Sequence, residues 1–186
     1  MRVFLKQLRP AALILLVMIV ICGVIYTGVM TGVVSLIFPQ QAKGSIITIT
    51  LKDGTKKDFG SELIAQKFTE PKYLIGRPMT VSNLGPASDA QKKLVAERVQ
   101  WLRSLDPGNT APIPADLVTA SGSGVDPSIS PAAADWQVAR IARERGLSEA
   151  AVRATIKRYT TGRLAGFIGE PAVNVLKVNL ALDGLL

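Results

Sequence analysis

AALILLVMIVICGVIYTGVMTGVVSLIF, residues 11–38, decides the architecture of this 186-residue chain. No charge falls between Arg9 and Lys43. These 28 residues, wound as a helix, rise about 42 Å, against a bilayer hydrocarbon core of about 30 Å, so one helix crosses with tilt to spare. A helix also satisfies its own backbone groups, which lipid cannot do. The run holds sixteen Leu, Ile, Val and Phe; at roughly −0.3 to −0.6 kcal/mol each near the bilayer centre, they outweigh the few Thr, Ser and Gly.

A cleaved secretory signal would have an apolar core of only about 7–15 residues, followed by a small-x-small site. Here the apolar run is longer, and Pro39-Gln40-Gln41-Ala42 comes after it. The expectation is an uncleaved anchor. Arg2, Lys6 and Arg9 precede the span, and Lys43 alone lies at comparable distance beyond it. Positive residues stay on the cytoplasmic side, so residues 1–10 are expected inside and residues 39–186 outside.

Beyond the anchor the chain is long enough for one domain with a real core. Three of the 22 Lys and Arg precede the span, so residues 39–186 carry 19 basic against 14 acidic residues. That excess is mild: it is weak support for nucleic acid or anionic lipid, and solubility is the bland explanation. Cys22 is the one cysteine and lies within the span, so no disulfide framework exists. With no histidine in the chain, His-dependent triads and His-based zinc sites are excluded.

Within the span, Thr27, Gly28, Thr31, Gly32 and Ser35 fall at spacings of three and four, a stripe of small residues. Its Gly28–Gly32 pair is a G-x-x-x-G, which lets another helix approach closely. After Pro39, the alternation at residues 45–51 predicts a half-buried strand, and Asp53-Gly54 a turn. Ser61 is expected to cap a short helix through Phe68. Ser88 should cap a longer one to Leu105, with Leu94, Val95, Val99, Trp101, Leu102 and Leu105 as its apolar set. Between them lies an irregular stretch. Residues 116–120 suggest a brief strand. Ser130 with Pro131 starts a helix expected to run to Arg145 and stop at Gly146; Ser148 caps another. Residues 171–180 read as a final strand broken by Asn174 and Asn179. The fold class expected is α/β: one transmembrane helix, then one small extracytoplasmic α/β domain.

Two constellations carry chemistry. In Ser121-Gly122-Ser123-Gly124-Val125-Asp126, the glycines permit positive φ, and successive N–H groups are able to cradle an anion. The loop is no Walker A, since no Lys comes after Gly124. Its bland reading is a tight connection into a capped helix, with Asp126 capping a turn. Residues 137–157 scan as a helix-turn-helix with a basic second helix bearing Arg153, Lys157 and Arg158. The alternative there is an ordinary helix pair packing Val138, Ile141, Ala142, Leu147, Val152 and Ile156, and an extracytoplasmic domain meets no DNA. No G-x-S-x-G and no paired carboxylates appear, so no catalytic residue and no metal site are expected.

Long motifs then line up in order along nearly the whole chain. They are residues 60–68 (GSELIAQKF), Tyr73, Gly76-Arg77-Pro78, residues 82–86 (SNLGP) and residues 117–127 (LVTASGSGVDP). Next come Ile129-Ser130-Pro131 with Ala133-Ala134, Gln137-Val138 and Arg140, then Gly169-Glu170-Pro171, residues 173–176 (VNVL) and residues 179–183 (NLALD). With the single N-terminal span, this pattern resembles the C subunit of the Kdp-type potassium-transporting ATPase. The resemblance implies a non-catalytic accessory subunit in the cell membrane. Its partners would be a channel-like subunit that carries potassium and a P-type subunit that hydrolyses ATP. It also implies a catalytic chaperone that raises the ATP affinity of the pump subunit, with no firmly bound cofactor and ATP reached through the complex. Residues 121–124 and Asp126 would then form a nucleotide or partner-contact loop. Two departures stand out: only Met79-Thr80-Val81 separate motifs that many members space more widely, and Ser128 stands where the family often has His. The other readings are a membrane-anchored module binding an anionic ligand through the Gly-Ser loop, and a tethered DNA-binding regulator.

Overall fold

The computed structural model describes residues 2–80 and 83–186. Val81 and Ser82, within the short spacer and the SNLGP motif, lie outside the described residues. The chain divides into two compact units, one ending at Ile46 and one beginning at Ile47.

The first unit is a long helix. α1 (Arg2–Met18) continues through a π-wound segment, Ile19–Tyr26, into α2 (Thr27–Ile37). The helix thus starts well before residue 11, and the part long and apolar enough to cross a membrane is Lys6–Ile37. At the junction with α2, Thr27 Oγ1 donates to the Cys22 carbonyl at 2.9 Å. Phe38 leaves helical geometry (φ −129°, ψ 61°) because it precedes a proline, and Pro39 opens a single helical turn, α3 (Pro39–Ala42).

In the second unit, β1 (Ile46–Thr50) and β2 (Lys56–Ser61) form a hairpin about the expected Asp53-Gly54 turn. Gly54 has φ 83°, and Asp53 accepts from the Thr55 N–H at 2.9 Å. The helix expected at residues 61–68 does not form. Ser61 ends β2, and its hydroxyl accepts from the Leu63 N–H two residues on, which closes a turn. The Ala65 N–H then donates to the Val125 carbonyl of a distant loop.

α4 (Asp89–Leu105) begins where the sequence places it, Ser88 Oγ accepting from the Gln91 N–H. Leu102 is buried and Trp101 and Leu105 pack on the core, whereas Leu94 is exposed. Residues 115–117 are a 3-10 turn rather than a strand. The long helix expected from Pro131 splits into α5 (Pro131–Asp135) and α6 (Val138–Arg145). The cause is Gln137: its own side-chain amide donates to the Ala133 carbonyl (3.1 Å), the acceptor a continuing helix would give to its backbone N–H. Gly146, at φ 64°, ends α6 as a left-handed cap, and Ser148 caps α7 (Glu149–Arg158).

β3 (Ser128–Ile129), β4 (Thr160–Thr161) and β5 (Ala172–Asn174) make an antiparallel sheet with β5 in the middle; Val173 faces both Ile129 and Thr160. The strand expected through residue 180 stops at Asn174. Its side chain accepts from the Lys177 N–H and starts α8 (Val175–Leu182). Between β4 and β5, the tip carrying Leu164, Phe167 and Ile168 stands in solvent. The unit is therefore mixed helix and sheet, with helices dominant.

The core gathers Leu74, Ile75, Leu102, Leu117, Ile129, Val138, Ile141, Val152, Val173 and Val178. Leu74 and Ile75 are central yet belong to neither helix nor strand. Asn179, itself buried, accepts from the Leu74 N–H (2.8 Å) and donates to the Leu74 carbonyl (2.9 Å). Gln137 does the same for Ile75, at 2.8 and 3.0 Å. Truncation by Asn179→Ala leaves both polar groups of Leu74 buried without partners, at about 1–3 kcal/mol for each. Chemical unfolding monitored through the fluorescence of Trp101 and Trp136 should show a loss of about 3 kcal/mol. Leu147→Ala, at an exposed position, should change stability by less than about 0.5 kcal/mol.

Candidate functional site

The Gly-Ser loop is closed by its own groups. Gly124 turns at φ 70° and its N–H donates to the Ser121 carbonyl at 3.1 Å. The next two N–H groups meet hydroxyls: Val125 donates to Ser123 Oγ (3.3 Å) and Asp126 to Ser121 Oγ (3.4 Å). Asp126 Oδ1 accepts from the Ser128 N–H at 2.9 Å, the turn-capping role, and so Ser128 enters β3 with its amide satisfied. Gly122 and Ser123 are exposed at the tip.

Arg77, of the Gly76-Arg77-Pro78 motif, packs against this loop. Nη2 donates to the Ala120 carbonyl at 3.1 Å, and Nη1 lies 3.9 Å from Asp126. Arg77 Nε is buried with no hydrogen-bond partner among the described residues. Arg98 of α4 approaches the same motif, donating to the carbonyls of Gly76 and Leu117 at 3.0 Å each and stacking over Trp101. No carboxylate pairs with Arg98 among the described residues, and burial pushes its guanidinium down to about 10, still fully charged at neutral pH. Arg140 behaves alike: buried, pushed down to about 10 by desolvation, and bonded to the carbonyls of Pro71 and Tyr73 and to Gln137 Oε1.

In the stretch that scans as a helix-turn-helix, α6 packs against α7 with Val138, Ile141, Ala142, Val152 and Ile156 buried. Leu147, expected inside, is exposed because it sits in the turn after the Gly146 cap. Arg153 is engaged by Asp135 and Glu149. Along the membrane-length helix, a Cβ added at Gly28 or Gly32 would meet nothing within 4 Å, and Thr27, Thr31 and Ser35 are exposed. The five residues thus share an uncovered stripe.

Arg77, Arg98, Gln137 and Asn179 have roles that sequence reasoning alone misses. A signal exists for three of them: Arg77, Gln137 and Asn179 sit inside the motifs that carry the resemblance. Arg98 looks like one more charge on a helix surface.

The family model described as KdpC: K+-transporting ATPase, c chain, matches residues 8–184. The chain belongs to the KdpC family. Curated relatives named potassium-transporting ATPase KdpC subunit agree along their whole lengths. That of Listeria monocytogenes serovar 1/2a is 52% identical over 100% of this chain and 99% of the relative. Those of Methylococcus capsulatus and Sorangium cellulosum are 53% and 49% identical, each over 97% of this chain and 98% of the relative.

Gly124 and Gly122 separate the loop's conformation from its surface. Gly124→Ala forces a Cβ into left-handed backbone and should cost about 1 kcal/mol of unfolding free energy. Gly122→Ala, with open space around its Cβ, should leave stability unchanged within about 0.5 kcal/mol in the same titration.

Proposed function

We propose that this chain serves an ATP-driven potassium-transporting complex as its accessory subunit and performs no catalysis itself. The observation that carries this is the end-to-end match to the KdpC family, span and folded unit together. The partners are a channel-like potassium-translocating subunit and an ATP-hydrolysing P-type subunit. The charge asymmetry about residues 11–38 supports an inner-membrane anchor with a cytoplasmic N-terminus and an extracytoplasmic domain. The uncovered stripe of Thr27, Gly28, Thr31, Gly32 and Ser35 supports helix packing against one of those partners. From outside the membrane, any rise in the pump's ATP affinity reaches the nucleotide through the assembled complex. The N–H groups of Gly124, Val125 and Asp126 are already bonded within the loop, which supports partner contact over a phosphate cradle built on those amides.

Fusing alkaline phosphatase after Leu186 should give active enzyme in cells; an inactive fusion of normal abundance would reverse the orientation. Detergent co-purification tests the assembly role. The double variant Gly28→Leu with Gly32→Leu should recover severalfold less of both partner subunits, and undiminished recovery removes the stripe from the interface.

A further inference from the structure

A cavity of about 280 Å³ opens beside the Gly76-Arg77-Pro78 motif. Gln66, Lys67, Thr69, Arg77, Thr80 and Arg98 supply its polar wall, and among the described residues no Asp or Glu lines it. Three cations therefore face one space. Their surroundings do little to neutralise them. Among the described residues, neither Arg98 nor Lys67 has a carboxylate partner. Asp126, the acid facing Arg77, stands 3.9 Å away and uses its other oxygen on Ser128. Glu97 lies along an adjoining cleft that shares Pro78, Thr80 and Arg98. Arg77 Nε is buried and has no acceptor among the described residues, so its charge is met only by the more distant Asp126.

We propose that this cavity binds a phosphate-sized oxyanion. Both guanidiniums spend part of their donors on the carbonyls of Ala120, Gly76 and Leu117, which leaves Nη1 of each for the ion, and two such cations with a lysine balance a dianion better than a singly charged group. The Thr69 and Thr80 hydroxyls offer further donors, and the volume admits the ion with several waters. The carbonyls of Gly76 and Leu117 meet the desolvated Arg98 with partial charges only, and an anion beside it would offset more of that cost. No residue of the Gly-Ser loop lines this cavity, and the proposal stands independently of the subunit role.

The test is calorimetric titration of sodium phosphate into the full-length chain in detergent, with ionic strength held constant by chloride. Saturable binding of one phosphate per chain is expected, with acetate binding at least tenfold more weakly. Arg98→Gln should weaken binding by roughly tenfold or more, the loss of a charge-assisted contact. Arg98 also holds two backbone carbonyls. Lys67→Gln, which breaks no ion pair among the described residues, therefore gives a second reading and should weaken binding severalfold with an unchanged Tm. Arg158→Gln, in a different cavity, should bind as the parent does. Absence of saturable heat, acetate binding as tight as phosphate, or an unaltered affinity in Lys67→Gln overturns the assignment.

Discussion

Everything in the folded unit depends on how two buried residues find partners for their backbone groups. Leu74 and Ile75 must be buried, since they fill the middle of the core. Their N–H and C=O groups then need partners, or each costs on the order of 1–3 kcal/mol. A sheet would supply them from a neighbouring strand. Here two side-chain amides do it, Asn179 from α8 and Gln137 from the break between α5 and α6. An amide carries one donor group and one acceptor, so a single Asn or Gln serves both the N–H and the C=O of one residue.

The same device extends outward along the segment. Arg140 takes the carbonyls of Pro71 and Tyr73, Arg145 that of Lys72, and Arg98 that of Gly76. Several elements are thereby pinned to one irregular strip of chain, which lies where no regular secondary structure could form, given Pro71, Gly76 and Pro78. The guanidinium groups are desolvated in this role, and the carbonyl oxygens take the place of carboxylates. Arg145 is the exception, reaching Asp183 at 2.8 Å as well.

Local chemistry is legible in the sequence; long-range chemistry is not. Ser88, Ser130 and Ser148 read as caps and each accepts the expected N–H, and the Gly146 stop and the Asp53-Gly54 turn also hold. These signals act within four residues. The differences at residues 61–68, 131–145 and 171–180 share a cause: a polar side chain, Ser61, Gln137 or Asn174, bonds to backbone and redirects the chain. Periodicity reports apolar spacing and is blind to such bonds. In the candidate site, the Gly-Ser loop and Asp126 are visible as a turn, whereas Arg77 and Arg98 acquire their meaning only from what folds against them. The family is plain because its motifs are long, and several of their residues, Gln137, Arg140 and Asn179 included, turn out to hold the core together.

The clamp on Leu74 joins positions 105 residues apart. Such a contact carries a loop-closure cost and slows folding relative to local contacts. During synthesis at about 5–20 residues per second, the membrane-length helix emerges well before α8. The core therefore closes only once α8 has been made, long after Leu74 and Ile75 have emerged. A chain stopped just before α8 would carry the membrane-length helix and no finished domain.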